Sequence, residues 1–276
     1  AKSNPSPADM EQFHTLTTPA LEAGRPAISN RSSDARNWSV RGDIYQLLAR
    51  LQIEGAYDRA KADFGEAARR DPQNPYYDLQ VALLEASKNN TAGARAALGQ
   101  AIQKKPNYTE ALSALTELDV VAGNLPEAIK TVESLLSLEA NNPGRYYQLG
   151  VLHRANGDKA AALNAFTDAV TLDPQYANAR YLMALVLLEE NNVDAALTQL
   201  RTVRDLNSAN NSLNDVIDRL EGGESAASVL GQNAATVTEP APNSADGTVD
   251  SVTEVPESYL LTPVNIVPDI NTAGTS

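Results

Sequence analysis

The chain contains no cysteine, and among its 276 residues there are only two histidines, two methionines, three phenylalanines and one tryptophan. Without thiols there are no disulfides and no thiolate metal sites, and the absence fits any redox compartment. His14 and His153 are too far apart for an H-x-x-x-H pair and have no companion ligands, so neither metal nor cofactor is expected. Neither a Gly-rich phosphate loop nor a nucleophile elbow occurs. Positive charge is in short supply: 22 Lys and Arg face 35 Asp and Glu, a net charge of −13. A phosphate backbone would be repelled, which removes nucleic acid from the expected partners. No apolar run approaches the roughly 18 residues of a membrane span. The chain begins at Ala1 and not at Met, as expected of a chain whose leader has been removed or of a portion of a longer protein.

What the chain does have is a period. In residues 143–174, Tyr146, Leu149, Gly150 and His153 precede Gly157, and Ala162, Phe166 and Ala169 precede Pro174. The spacing predicts two short amphipathic helices. Gly157 suits a left-handed helix end, and Pro174 blocks continuation of the second helix. Steps of 34 residues give starts at Arg41, Pro75, Thr109, Pro143 and Ala177, with no insertion. In register stand Ala60, Ala94, Ala128, Ala162 and Ala196. Four residues later come Phe64, Leu98, Val132, Phe166 and Leu200, and three further Ala67, Ala101, Leu135, Ala169 and Val203. The turn position reads Gly55, Asn89, Gly123, Gly157 and Asn191, all types that tolerate positive φ. Small and large residues in fixed alternation predict helical hairpins that interlock, each needing the next to bury its apolar face.

This pattern resembles the tetratricopeptide repeat, whose helix–turn–helix period is 34 residues. The aromatic that family carries at its fourth position survives only as Tyr146, and its helix-A glycine only as Gly150. The resemblance covers residues 41–221 and implies an all-α fold: a right-handed α-solenoid of five repeats plus a C-terminal capping helix, with an extended C-terminal tail. The runs Gly42-Asp43-Ile44-Tyr45-Gln46-Leu47, Asn142-Pro143-Gly144 and Tyr176-Ala177-Asn178-Ala179-Arg180-Tyr181 are also similar to repeat regions of bacterial surface proteins. In some of those, such repeats follow a membrane portion of the O-antigen-ligase type. That likeness implies an envelope or extracellular location, with the cytoplasm as the alternative.

Residues 1–40 are expected to be an N-terminal cap or extended segment, with a helix opening at Ser6-Pro7 and carrying Met10, Phe13, His14 and Leu16. A degenerate repeat is the competing reading. Residues 41–221 divide into units 41–74, 75–108, 109–142, 143–176 and 177–210 and a capping helix, 211–221, stopped by Gly222-Gly223. Residues 222–276 contain Asp and Glu but no Lys or Arg and are rich in Pro, Ser and Thr, a composition of disorder. Two stretches resist it: 248–255, and the apolar run Tyr259, Leu260, Leu261, Val264, Ile266 and Val267, which reads as an extended docking segment.

By the resemblance, the inner wall of the array is lined by Tyr45, Ala49 and Gln52, Leu79, Leu83 and Ala86, Ser113, Glu117 and Val120, Tyr147, Val151 and Arg154, and Tyr181, Leu185 and Leu188. The family's carboxylate clamp needs Lys and Asn there; only Arg154 is basic, so that use is not expected. A groove of Tyr45, Leu79, Leu83, Tyr147, Val151, Arg154, Tyr181 and Leu185 suits an extended aliphatic segment, unless these side chains simply pack between helices. Trp38 is expected to cap the first unit, His153 to be a packed structural residue, and the Glu189-Glu190 pair to be solvated. Five sequons, at Asn30, Asn37, Asn89, Asn107 and Asn210, are potential glycan acceptors on an extracellular chain. The function expected is a non-enzymatic scaffold assembling head-to-tail with copies of itself, the tail docking on a neighbour. The alternative is a monomeric adaptor for a foreign peptide.

Overall fold

The computed structural model describes residues 33–206 and 211–233. Among these residues there are twelve helices and no strand. They are α1 (Ala35–Arg50), α2 (Ala56–Arg70), α3 (Tyr76–Ser87), α4 (Thr91–Lys104), α5 (Thr109–Val121) and α6 (Leu125–Leu138), then α7 (Pro143–Ala155), α8 (Lys159–Leu172), α9 (Ala177–Glu189), α10 (Val193–Leu206), α11 (Asn211–Glu221) and α12 (Ala226–Asn233). The fold is all-α, of tandem helical hairpins. The helix expected to open at Ser6-Pro7, the stretch 248–255 and the docking run 259–267 fall outside the described residues.

The turns explain why each hairpin closes where it does. All five turn positions have positive φ: Gly55 72°, Asn89 57°, Gly123 74°, Gly157 84° and Asn191 59°. The left-handed residue lets the following N–H reach back five residues, as from Asp158 to the His153 carbonyl at 2.9 Å and from Asn192 to that of Leu187 at 2.8 Å. That following residue then caps the next helix. Asn90 Oδ1 accepts from Gly93 N at 3.1 Å, and Asp158 Oδ1 from Ala161 N at 3.0 Å. One position ends a helix and its neighbour begins another. The first hairpin departs from this: Gln52 takes φ 60° as α1 ends, and Gly55 stands as the N-cap of α2.

The side-chain sizes fall where the period places them. Ala60, Ala94, Ala128, Ala162 and Ala196 are at most 1% exposed, and the five plugs four residues on are at most 2% exposed. The chain separates into two compact units, residues 1–118 and 119–276, the boundary lying in α5. In the first, Phe64 packs with Ala35, Tyr77 and Leu84, while Leu98 and Ala101 meet Leu79, Tyr108 and Ala111. In the second, Val132 packs with Val120, Ala128 and Leu152, and Phe166 and Leu200 share a larger core with Leu182, Val186 and Ile217. Phenylalanine is admitted opposite glycine. A Cβ on Gly150 would stand 2.6 Å from the Phe166 ring, and one on Gly42 2.9 Å from that of Phe64. Burying each large side chain contributes about 1.5–3 kcal/mol.

Two helix bounds differ from the sequence expectation. The first helix, whose repeat unit starts at Arg41 by the period, begins at Ala35, because Asp34 caps it and Ala35 and Ser39 are buried. Trp38 therefore lies within α1, half-buried, with the Arg41 and Arg70 guanidinium groups 5.0 and 4.6 Å from its ring centroid. Residues 226–233, assigned by composition to the acidic tail, form α12. Ala226 and Val229 are buried in one core with Val216, Ile217 and Leu220 of α11. A few small apolar residues suffice when a neighbour already presents an apolar face.

The link into α12 is an ion pair. Arg219 reaches Glu224 through two bonds of 2.7 Å, and the Ser228 hydroxyl donates to the same carboxylate. These bonds hold the Glu224 carboxyl down to about 2 from an ordinary 4.5, Arg219 contributing more than Ser228. A lowered carboxyl contributes stability that is present above its ordinary value and lost as pH falls through the lowered one. The NMR signals of Ala226 and Val229 are thus expected to shift between about pH 4.5 and 2 in the wild type, and the Glu224→Gln variant to lack that transition.

Candidate partner-binding faces

The second unit brings four of the expected groove residues together. On α7, Tyr147, Val151 and Arg154 follow a spacing of four and three and share a face; on α9, Tyr181 and Leu185 do the same. Tyr147, Val151, Tyr181 and Leu185 belong to one apolar cluster. Their exposure divides them. Val151 (3% exposed) and Tyr181 (8%) are inside the core, so their side chains fill space between helices. Tyr147 and Leu185 are half-buried and keep a surface toward solvent, as do Met183 and Tyr176, which the pattern did not single out. The Tyr147 ring lies 5.2 Å from that of Tyr176 and 6.1 Å from that of Phe166. Packed in this way it presents a rigid aromatic surface at little entropic cost.

Arg154 is not available as a free cation. Its Nη2 and Nε lie 2.7 and 3.2 Å from Glu189 Oε1, and Lys159 Nζ is 3.4 Å from Glu189 Oε2. The Glu189 side chain is 13% exposed, so the expectation of a solvated Glu189-Glu190 pair holds only for Glu190. The correction has a simple cause. Residues 35 apart sit side by side on successive first helices of the repeat, so Arg154 and Glu189 meet across α7 and α9. The face is therefore apolar and aromatic, bounded by a cluster in which one carboxylate holds two cations.

In the first unit, Leu79 (6% exposed) and half-buried Leu83 share a cluster on α3, whereas Tyr45 on α1 belongs to a different one. The Tyr45 hydroxyl accepts from Arg59 Nη1 at 3.2 Å, and that guanidinium lies 5.5 Å from the ring centroid. Burial pushes the Glu117 carboxyl on α5 above its ordinary value. Among the potential glycan acceptors, Asn89 and Asn107 are exposed in turns, and Asn37 is half-buried within α1. Asn30, Asn210 and the tail residues Tyr259, Leu260, Leu261, Val264, Ile266 and Val267 lie outside the described residues. Within the described residues, no three His, Asp or Glu side chains converge as a metal-ligand group, and no helix is long and apolar enough to cross a membrane.

Comparison with known proteins agrees with the geometry. Two family models described as tetratricopeptide repeat match residues 51–110 and 83–150. A third, described as anaphase-promoting complex, cyclosome, subunit 3, matches residues 122–203. Cellulose synthase operon protein C of Pseudomonas fluorescens (strain SBW25) is 24% identical over 178 residues, 62% of this chain and 14% of that protein. Putative cellulose synthase operon protein C of Escherichia coli O157:H7 is 25% identical over 175 residues, 59% and 15% of the two chains. The chain thus spans about one-seventh of the length of these relatives. Among solved structures, YrrB, described as a TPR protein with an unusual peptide-binding site, gives a TM-score of 0.54 at 20% identity over 70% of this chain and 96% of that one. MamA 41-end from Desulfovibrio magneticus RS-1 gives 0.50 at 17% identity over 62% and 97%. These two likenesses are of fold.

Proposed function

We propose that the chain, whose residues 51–150 match tetratricopeptide-repeat models and whose fold is in general a non-enzymatic scaffold for protein–protein interaction, gathers partners in the bacterial envelope by holding extended apolar segments. The holding face is that of α7 and α9, with Tyr147, Leu185 and Tyr176 as contact residues. The observation that carries this reading is an aromatic, half-exposed face whose only basic residue of the expected groove, Arg154, is already paired with Glu189. Such a face favours aliphatic side chains over a terminal carboxylate. The envelope location draws support from two relatives named for a cellulose synthase operon.

The segment held is Tyr259-Leu260-Leu261 with Val264, Ile266 and Val267, supplied by a neighbouring copy. Each copy then carries both a docking run and a receiving face. A contact of this heterologous kind does not close on itself and propagates head-to-tail into a filament. Removing residues 246–276 is expected to abolish concentration-dependent assembly in light scattering; particles of unchanged size would reject the reading. A second reading has its own observation. Helix α12 packs against α9 and α11 and fills the C-terminal end of the second unit, which favours a monomer that holds a foreign peptide on the same face. That reading predicts a concentration-independent monomer.

A further inference from the structure

One apolar surface in the first unit is not absorbed by this reading. Val40, Leu47 and Leu51 on and just beyond α1 are 60%, 53% and 42% exposed, and Ile44 between them is half-buried. The spacing of four, three and four places these residues in one row along the helix. The opposite side of α1 is already committed, burying Ala35, Ser39, Gly42 and Gln46, and Leu48 is buried on the flank. Single exposed leucines are ordinary, but a continuous apolar row is the surface of a missing neighbour. A row with heptad-like spacing accepts a helix, not a strand.

We infer that residues 6–16 of the same chain lie along α1 as an antiparallel helix, with Met10, Phe13 and Leu16 covering Val40, Ile44, Leu47 and Leu51. Four features of the chain select this occupant. The row from Val40 to Leu51 and the run 6–16 are each about 16 Å long at 1.5 Å per helical residue. Residues 1–32 lead directly into α1, and a tether of this length sets a local concentration on the order of millimolar. Between Lys2 and Arg25 there is no Lys or Arg, and Asp9 and Glu11 flank Met10, whereas Arg50 stands exposed at the Leu51 end of the row, where an antiparallel run brings these carboxylates; Arg36 at the other end is already paired with Asp34. Finally, one period back from Ala60, Phe64 and Ala67 stand Pro26, Asn30 and Ser33, so the preceding chain has no regular second helix of a repeat to place there. The first unit is closed by a helix outside the period. This contact is independent of the α7–α9 face and stands or falls separately from the proposed function.

The absence of native cysteine makes the test direct. Full-length chains carrying Phe13→Cys with Leu47→Cys, or Met10→Cys with Leu51→Cys, are oxidised mildly beside a control pairing Phe13→Cys with Gln103→Cys. The expected result is a disulfide within one chain for the first two pairs, seen as loss of free thiol without a rise in mass, and none for the control. In addition, Leu47→Asp is expected to remove hydrogen-exchange protection from residues 8–16 while Trp38 emission stays as in the wild type. Bridges formed only between chains, thiols that remain free, equal bridging by the control, or residues 8–16 unprotected in the wild type would each overturn the inference.

Discussion

Phe166→Ala is expected to destabilise the second unit by about 3–5 kcal/mol, measured by urea denaturation followed by far-UV circular dichroism. The ring is fully buried and lies where Gly150 has no side chain, with Tyr147 6.1 Å away. Removing it leaves a cavity facing backbone that has no side chain with which to fill it. A loss of this size is a large part of the 5–15 kcal/mol that typically holds a domain folded. The converse change, Gly150→Ala, forces a methyl to within 2.6 Å of the ring and is expected to cost about 1–3 kcal/mol. Combined with Phe166→Ala, the added methyl enters the cavity instead of a ring. The double variant is therefore expected to be more stable than the sum of the two single losses implies. Additive losses would mean that the pair does not pack as described.

Glu189→Ala is expected to cost about 1–3 kcal/mol, the penalty for leaving charged groups in a largely buried setting without their partner. Arg154 and Lys159 both face this carboxylate, so its removal sets two cations against each other. Glu189→Gln keeps an acceptor for the guanidinium and should lose less. Changing both sides, with Arg154→Met and Glu189→Leu, should cost less than the two single changes added together, because no charge is then stranded. Equal losses for Glu189→Ala and Glu189→Gln would contradict this, showing that the missing charge alone sets the cost and that an amide acceptor in its place contributes nothing.

The parts of the fold legible in the sequence were those fixed by contacts inside one hairpin. The five buried alanines, their large partners and the five positive-φ turns recur every 34 residues because each hairpin solves the same packing problem. What lay outside the period was harder to read. Helix α1 starts at Ala35 within a Pro- and Ser-rich stretch because Asp34 caps it, and a single cap is a weak signal beside composition. Helix α12 has no basic residue and follows two glycines, yet it forms because α9 and α11 supply the surface it needs. The candidate face shows the same division. Its residue types were readable, but which members stay accessible depends on the neighbouring helix. Leu79, Val151 and Tyr181 are buried where Leu83, Tyr147 and Leu185 are not. The Arg154–Glu189 pair was available as two opposite charges one period and one residue apart, a relation that a search along a single helix does not reach.

The most direct test of the scaffold account is sedimentation velocity of the full chain, the chain ending at residue 245, and the Leu185→Asp variant, each over a range of concentrations. The account predicts that the full chain sediments faster as concentration rises, and that both altered chains remain at one slow value with unchanged helix content. Growth of all three alike, with helices intact, would contradict it.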